Sequence, residues 1–188
     1  VNPASVTRGS HGPVVFRATL TRNDTGAGIP GATVAFKVSG KLGGTTVTDA
    51  GGAATVNYDP SGLAAGSYTV RAWFDGQTIG SIIFLPSMSS GLTLKVNAPT
   101  ALVLNVNPAS VTAGSHGPVA FRATLTRNDT GAGIQGTTVT FKVDGNPAGT
   151  AATDAGGVAT VSYDPCALAA GSYTVRAWFD GQTIGSII

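Results

Sequence analysis

The chain has two histidines, His11 and His116, and each lies in the same segment, Gly-Ser-His-Gly-Pro. Catalysis by a histidine requires a nucleophile and an orienting acid held together around the ring. Serines are abundant, and none lies in a motif that singles it out. One histidine per segment, with no second ligand at close spacing, also falls short of a zinc ligand set. We therefore expect no catalytic residue, no cofactor and no metal site, and interpret both histidines as loop residues.

The acidic residues raise the question of calcium, because carboxylates are the ligands that Ca²⁺ prefers. All 9 acids are aspartates, and the chain has no glutamate. None of them forms the Asp-x-Asp-x-Asp spacing that concentrates oxygen ligands on one loop. We predict that they cap turns, and the alternative is that carboxylates from different loops meet at a module junction. Four recur in the second half of the chain, as the pairs Asp24 and Asp129, Asp49 and Asp154, Asp59 and Asp164, Asp75 and Asp180.

Cys166 is the only cysteine, and Ser61 is its counterpart in the first half of the chain. No intrachain disulfide can form, so the residue is interpreted as a small side chain next to a turn, with interchain pairing as the alternative. Asn23 and Asn128 each begin an Asn-Asp-Thr sequence, which is a candidate glycosylation site. The same residues are good turn formers.

One predicted surface combines cations with a large aromatic ring. In the strand Tyr68–Asp75, Arg71 and Trp73 alternate outward, and Lys37 is placed on a neighbouring strand. An exposed aromatic ring beside cations can stack on a sugar or pack against another subunit. The alternative is that Arg71 covers Trp73 within one module. The candidate interaction surface and its repeat are Lys37, Arg71, Trp73, Lys142, Arg176 and Trp178.

The elements that must position these residues are β-strands, because apolar residues alternate with polar ones along each of them. Val14, Phe16, Ala18 and Leu20 share one face, and the strand Thr33–Val38 alternates in the same way. Gly-rich and Asp-rich turns separate the strands. Strands with one buried face are typical of antiparallel sheets stacked as a sandwich.

The whole pattern occurs twice. Val1 to Ile83 returns as Val106 to Ile188 without a gap, and 68 of the 83 aligned residues are identical. Residues 84–105 occur once, with a boundary near Pro99. We predict two tandem modules, 1–98 and 99–188, of which the first lacks its opening strand and the second its closing strand.

Composition excludes some classes of partner. The net charge is +2 and the Lys and Arg residues are scattered, whereas a nucleic-acid-binding protein needs a basic stripe. No apolar run approaches the roughly 20 residues of a membrane-spanning helix. We expect neither nucleic acid as a partner nor a membrane span in this chain.

The sequences Thr48-Asp49-Ala50-Gly51-Gly52 and Leu63-Ala64-Ala65-Gly66-Ser67-Tyr68 resemble the bacterial immunoglobulin-like repeat family. So do Val34-Ala35-Phe36-Lys37-Val38 and its copy Val139-Thr140-Phe141-Lys142-Val143. The resemblance covers nearly the whole chain and implies an all-β fold of two tandem immunoglobulin-like antiparallel sandwiches. It also implies an extracellular or cell-surface location, since such repeats build adhesins, invasin-like proteins, filaments and spacers of secreted enzymes. The apolar stretch Ile79 to Leu85 departs from the family pattern.

These features favour a non-enzymatic structural module of an extracellular filament, pilus or adhesin stalk that associates with neighbouring modules or subunits. The alternative is an accessory or carbohydrate-binding module of a secreted polysaccharide-acting enzyme, with a glycan or cell-surface partner. An edge left by a missing strand would accept a strand from another copy. The candidate strand-exchange segments contain Leu92, Leu94 and Val96, and Leu102 and Leu104.

Overall fold

A computed structural model describes residues 4–181 of the chain. The chain divides into two compact units, Val1–Asn97 (unit 1) and Ala98–Ile188 (unit 2). In the described residues every regular element is a strand, which confirms the all-β prediction. Within residues 4–181 there is no helix long and apolar enough to cross a lipid bilayer.

Unit 1 contains ten strands, and most of them belong to two sheets. The larger sheet has the order β1-β10-β6-β3-β4, with β9 also paired to β6, and the smaller sheet pairs β2 with β5. A separate hairpin pairs β7 with β8. The strands are β1 (Ser5–Thr7), β2 (Val14–Thr19), β3 (Thr33–Val38), β4 (Lys41–Val47), β5 (Ala53–Tyr58), β6 (Gly66–Phe74), β7 (Gln77–Ile79), β8 (Ile82–Phe84), β9 (Ser87–Met88) and β10 (Leu92–Asn97).

Unit 2 contains two three-stranded sheets, β11-β12-β15 and β14-β13-β16. Its strands are β11 (Thr100–Asn107), β12 (Val119–Arg127), β13 (Thr138–Val143), β14 (Asn146–Ala152), β15 (Val158–Tyr163) and β16 (Val175–Trp178). Strands β12 to β16 repeat β2 to β6 in sequence and in pairing. The predicted closing strand of the first module is β10, and the predicted opening strand of the second is β11.

The core of each unit lies between its two sheets. In unit 1 the inward residues of β2 and β5 pack against those of β3, β6 and β10, and Phe16 and Phe36 are 1% and 2% exposed. In unit 2 their counterparts Phe121 and Phe141 are 2% and 0% exposed. The alternation predicted from the sequence places these rings inward, because successive residues of a strand face opposite sides of the sheet.

The strand order is that of an immunoglobulin-like sandwich, in which the second and fifth strands of the fold face a sheet built on the third and sixth. All named pairs are antiparallel except β1 with β10, which are parallel. The segment Ser5–Thr7 forms this short strand at the edge of the larger sheet. It is not the strand predicted to be missing from the first module, whose counterpart in unit 2 is β11. The segment between β5 and β6 is a turn without helix.

Candidate functional site

The candidate site is one edge of β2 in unit 1. In unit 2, β12 pairs with β15 on one side and with β11 on the other, whereas β2 pairs with β5 alone. The residues of β12 and their counterparts 14–22 differ at one position, Val15 in place of Ala120. Even so, β12 has 9 residues and β2 has 6. Strand length here depends on the partner strand, since a ladder needs hydrogen bonds from a neighbour. Within residues 4–181, the second edge of β2 is unpaired.

The side chains along this edge are more exposed than their copies in unit 2. Leu125 and Ala123 are both 0% exposed, and they pair directly with Leu102 and Leu104 of β11. Their counterparts Leu20 and Ala18 are only half-buried. The residue types are identical, so the difference in side-chain exposure reflects the surface that β11 covers in unit 2.

A groove of about 770 Å³ lies beside this edge, entirely within unit 1. Its lining includes residues 18–24, Ala72, Phe74 and the stretch 82–89. A smaller groove of about 180 Å³ shares Ala18 and Ala72 with it. Exposed apolar side chains line the larger groove, including Ile83 at 74% and Leu85 at 79% exposure. Residues 82–85 of the apolar stretch Ile79 to Leu85 therefore line the groove.

Among the described residues, unit 2 also has an unpaired strand edge, which belongs to β16 in the sheet β14-β13-β16. In unit 1, β10 pairs with β6 over Leu92–Val96 and covers Val70, which is 4% exposed. The counterpart strand β16 has no second partner within the described residues, and its Val175 is only half-buried. It has 4 residues where β6 has 9. The segment 110–112, which corresponds to β1, forms no strand.

Both candidate strand-exchange segments lie in sheets of their own unit. Leu94 and Val96 of β10 are 0% and 3% exposed in the core of unit 1, while Leu92 is 53% exposed at the start of the strand. Leu102 and Leu104 of β11 are half-buried against the core of unit 2. The pairing of β10 with β6 and of β11 with β12 thus shows how each segment covers the edge of the strand beside it.

The candidate interaction surface forms on the outer face of the larger sheet. Lys37 pairs directly with Arg71 across β3 and β6, and its Nζ lies 4.2 Å from the centre of the Trp73 ring. Lysine, and not arginine, therefore covers the tryptophan, which corrects the alternative stated above. Nη1 of Arg71 instead donates to Sδ of Met88 at 3.6 Å. The ammonium group and the ring face attract each other.

The copy of this surface in unit 2 is more open. Nζ of Lys142 lies 5.3 Å from the centre of the Trp178 ring, and Trp178 is 40% exposed. Arg176 pairs with Lys142 across β13 and β16. Lys142, Arg176 and Trp178 thus lie close together in unit 2, as their counterparts do in unit 1.

Several aspartates cap turns, as predicted. Oδ1 of Asp49 accepts from the backbone N–H groups of Gly51 and Ala53, each at 2.9 Å, and Asp154 does the same in unit 2. Asp24 instead accepts two hydrogen bonds from Arg22, at 3.0 and 2.8 Å. The hydrogen bonds from Arg22 lower the pKa of Asp24 from its ordinary value. Asn23 and Asn128, the candidate glycosylation sites, are both exposed in the neighbouring loops.

The structure brings together one group of ligand-type side chains that the sequence spacing did not suggest. Nδ1 of His116 lies 3.3 Å from Oδ2 of Asp164, and the ligand atoms of His116, Asp164 and Cys166 all lie within 4.8 Å of one another. The backbone N–H of Cys166 donates to Oδ1 of Asp164 at 2.9 Å and is the largest cause of the lowered pKa of Asp164. Partial burial, then the Asp164 carboxylate, raises the pKa of the Cys166 thiol. His116 and Asp164 are 48 residues apart, so spacing along the chain could not reveal the group.

Comparison with known proteins gives distant structural likenesses. The chain is similar to the D0-D1 domain of intimin, at 17% identity over 95% of this chain and 88% of that one, with a TM-score of 0.37. It is similar to invasin, a bacterial integrin-binding protein, at 18% identity over 94% of this chain and 34% of that one, with a TM-score of 0.38. The fibronectin(III)-like modules of Clostridium thermocellum CbhA are 20% identical over 95% of this chain and 84% of theirs, with a TM-score of 0.39. No protein-family model and no curated protein matches the sequence.

Proposed function

We propose that this chain is a non-enzymatic structural part of an extracellular filament, pilus or adhesin stalk, built from the tandem modules 1–98 and 99–188. Its sandwiches are completed by strand addition at open edges. The observation that carries the proposal is the difference between Leu20, half-buried beside an unpaired edge, and Leu125, fully buried under β11. An unpaired strand edge with an apolar groove beside it is a template for an added strand.

The register of β11 on β12 specifies how a donor strand lies on β2. In unit 2, Leu102 pairs with Leu125, Leu104 with Ala123, and Val106 with Phe121. Transferred to unit 1 through the repeat, the same three donor residues lie opposite Leu20, Ala18 and Phe16. Because the acceptor residues are identical at these positions, a strand with the sequence of β11 has the same inward side chains to bury. Its partner is a neighbouring module or subunit that supplies this strand.

Burial gives the driving force for strand addition. Completing the burial of an aliphatic side chain contributes roughly 1.5–3 kcal/mol for each residue that was fully exposed, and proportionally less for a half-buried one. Backbone hydrogen bonds along the edge fix the register of the added strand. They contribute little net free energy, because water bonds to the same backbone groups before the strand binds. Each chain added to a filament then brings its own β2 edge as a further acceptor.

A peptide with the sequence Thr100–Asn107 tests this proposal. We expect the labelled peptide to bind the full chain in fluorescence anisotropy, and Ala18→Arg to abolish binding by filling the groove. A matched peptide carrying Leu102→Asp and Leu104→Asp is the control and should not bind. Equal binding of both peptides, or none of either, would contradict strand addition at β2. Electron microscopy of native material would then show whether the same edges are filled in a fibre.

The exposed Trp178 favours a second candidate, a carbohydrate-binding accessory module of a secreted enzyme. A ring that is 40% exposed beside a lysine can stack on a sugar. In unit 1, Lys37 already occupies one face of the equivalent Trp73. This candidate predicts glycan binding that is lost in the Trp73→Ala, Trp178→Ala double variant, measured on a glycan array. Absence of binding to any glycan would exclude it.

A further inference from the structure

Three different metal-ligand types meet on two neighbouring loops of unit 2. His116 lies in the loop between β11 and β12, and Asp164 and Cys166 lie in the turn that follows β15. All three are exposed or half-buried, so an ion from solvent can reach them. Among the described residues, no other group of three His, Cys or Asp side chains has this closeness.

The distances suit a small tetrahedral ion. Two ligands about 2.0–2.1 Å from a tetrahedral zinc ion lie about 3.3–3.4 Å apart, and Nδ1 of His116 is 3.3 Å from Oδ2 of Asp164. The third ligand atom, Sγ of Cys166, lies within 4.8 Å of both. Zinc binding requires the Cys166 side chain to bring Sγ closer to the other two ligand atoms. Asp164 is already held in place, because its other oxygen accepts from the backbone N–H of Cys166 at 2.9 Å.

The ligand types select the metal. A thiolate and an imidazole are poor ligands for Ca²⁺ and Mg²⁺, which take oxygen ligands. Zn²⁺ binds sulfur, nitrogen and carboxylate oxygen together in tetrahedral sites. We propose that His116, Asp164 and Cys166 form a Zn²⁺ site in unit 2, which leaves the fourth position open to water or to a ligand from another molecule.

Bound zinc would join the loop before β12 to the turn after β15. In unit 1 the equivalent loop follows β1, which pairs with β10. In unit 2 the corresponding segment 110–112 forms no strand. The ion would thus hold in place a loop of unit 2 that lacks the strand pairing found before the equivalent loop of unit 1.

Unit 1 provides a natural comparison within the same chain. His11 and Asp59 occupy the positions of His116 and Asp164, with Nδ1 of His11 at 3.8 Å from Oδ2 of Asp59. Ser61 stands where unit 2 has Cys166. A neutral hydroxyl is a far weaker zinc ligand than a thiolate, so we expect no comparable site in unit 1.

Calorimetric titration of the reduced full chain with Zn²⁺ tests the proposal. We expect one ion per chain, and a Cys166→Ser variant should bind at least about tenfold more weakly, since even indirect ligand partners contribute that much. Co²⁺ should give a thiolate charge-transfer absorption that is absent from Cys166→Ser. Unchanged affinity in Cys166→Ser, or Co²⁺ spectra without that absorption, would overturn the assignment.

A gain of binding provides the converse test. The Ser61→Cys variant gives unit 1 the complete ligand set, and we expect it to bind a second Zn²⁺ ion. Circular dichroism should show the same fold in every variant, because the substituted residues lie at or near the surface. A Ser61→Cys chain that still binds one ion, or a wild-type chain that binds none, would contradict the proposed ligand set.

Discussion

Thr48 and Thr153 are buried threonines that fasten the same loop in the two units. Oγ1 of Thr48 donates to the carbonyl of Ile29 at 2.6 Å and accepts from the N–H of Ala32 at 2.9 Å. Thr153 makes the equivalent bonds to Ile134 and Thr137. These hydroxyls satisfy buried backbone groups, which would otherwise cost about 1–3 kcal/mol each.

Thr137 is bonded to Thr153 through its backbone, but its own hydroxyl is unsatisfied. It is 0% exposed, its Oγ1 has no hydrogen-bond partner, and unit 1 has Ala32 at this position. Thr137→Val keeps the volume and removes the unsatisfied hydroxyl. We expect a stabilisation of about 1 kcal/mol, at the lower end of the desolvation penalty of such a group. Urea unfolding measures it, and a variant less stable than the wild-type chain would contradict the assignment of an unsatisfied hydroxyl.

The turn carboxylates give unfolding a defined pH dependence. The pKa of Asp59 and of Asp164 is lowered, chiefly by the backbone N–H groups of Ser61 and Cys166. A lowered pKa stabilises the fold above the unfolded-state value of about 3.9, and this contribution is lost as the pH falls through the lower folded-state value. The double variant Asp59→Asn, Asp164→Asn keeps the acceptor oxygens without the charge. Its urea midpoint should fall less than that of the wild-type chain between about pH 5 and pH 2, and parallel curves would contradict this.

Single residues could be predicted from the sequence where the cause is local. The turn-capping role of Asp49 follows from its place before two glycines, and the outward direction of Lys37 follows from alternation. The meeting of His116 with Asp164 depends on how two distant loops approach each other across the fold, for which the sequence has no local signal. The same reason applies to the contact of Lys37 with Trp73, since diagonal neighbours depend on register.

At the scale of elements, β2 and β12 have sequences that differ only at Val15 and Ala120, but they lie in two different environments. Both were predicted as strands from alternation, and both are strands. Their different lengths could not be predicted, because the length depends on whether β11 is present beside the strand. The unit 1 residues Leu20 to Arg22 therefore lie beyond the end of β2, although their copies continue β12.

A pair of matched substitutions measures what β11 contributes. Leu125→Ala removes a side chain that is 0% exposed and should cost about 2–5 kcal/mol. Leu20→Ala removes the same side chain from a half-buried position and should cost less than half of that amount. Each unit has one tryptophan, so unfolding in urea can be followed for unit 2 in a Trp73→Phe chain and for unit 1 in a Trp178→Phe chain. Equal costs would show that β11 adds no burial at this position.

At the scale of the whole molecule, the two units present different open edges from nearly the same sequence. Unit 1 has an unpaired β2 edge and unit 2 an unpaired β16 edge, among the residues that the structure describes. The strands that close the equivalent edges are β11 and β10, which follow one another in the chain. The duplication and the sandwich fold could be read from the sequence. The larger groove could not, because it arises from the exposed side chains of β8 and its flanks as well as from the edge.

The most direct test of strand addition is a disulfide trap of its register. The β11–β12 register places Asn105 opposite Arg122 and therefore, through the repeat, opposite Arg17. Directly opposite Cα atoms in antiparallel strands are about 4.5–5.5 Å apart, which a disulfide can span. Diagonal neighbours are about 7–8 Å apart, which it cannot span without movement.

The measurement uses the peptide Thr100–Asn107 with Asn105→Cys and a chain with Cys166→Ser. We predict rapid disulfide formation in a chain that also carries Arg17→Cys, and slow formation in the matched chain with Thr19→Cys. Mass spectrometry of the trapped product identifies the pair. Equal rates at the two positions, or no trapping at either, would contradict the claim that unit 1 accepts a strand of the β11 type along β2.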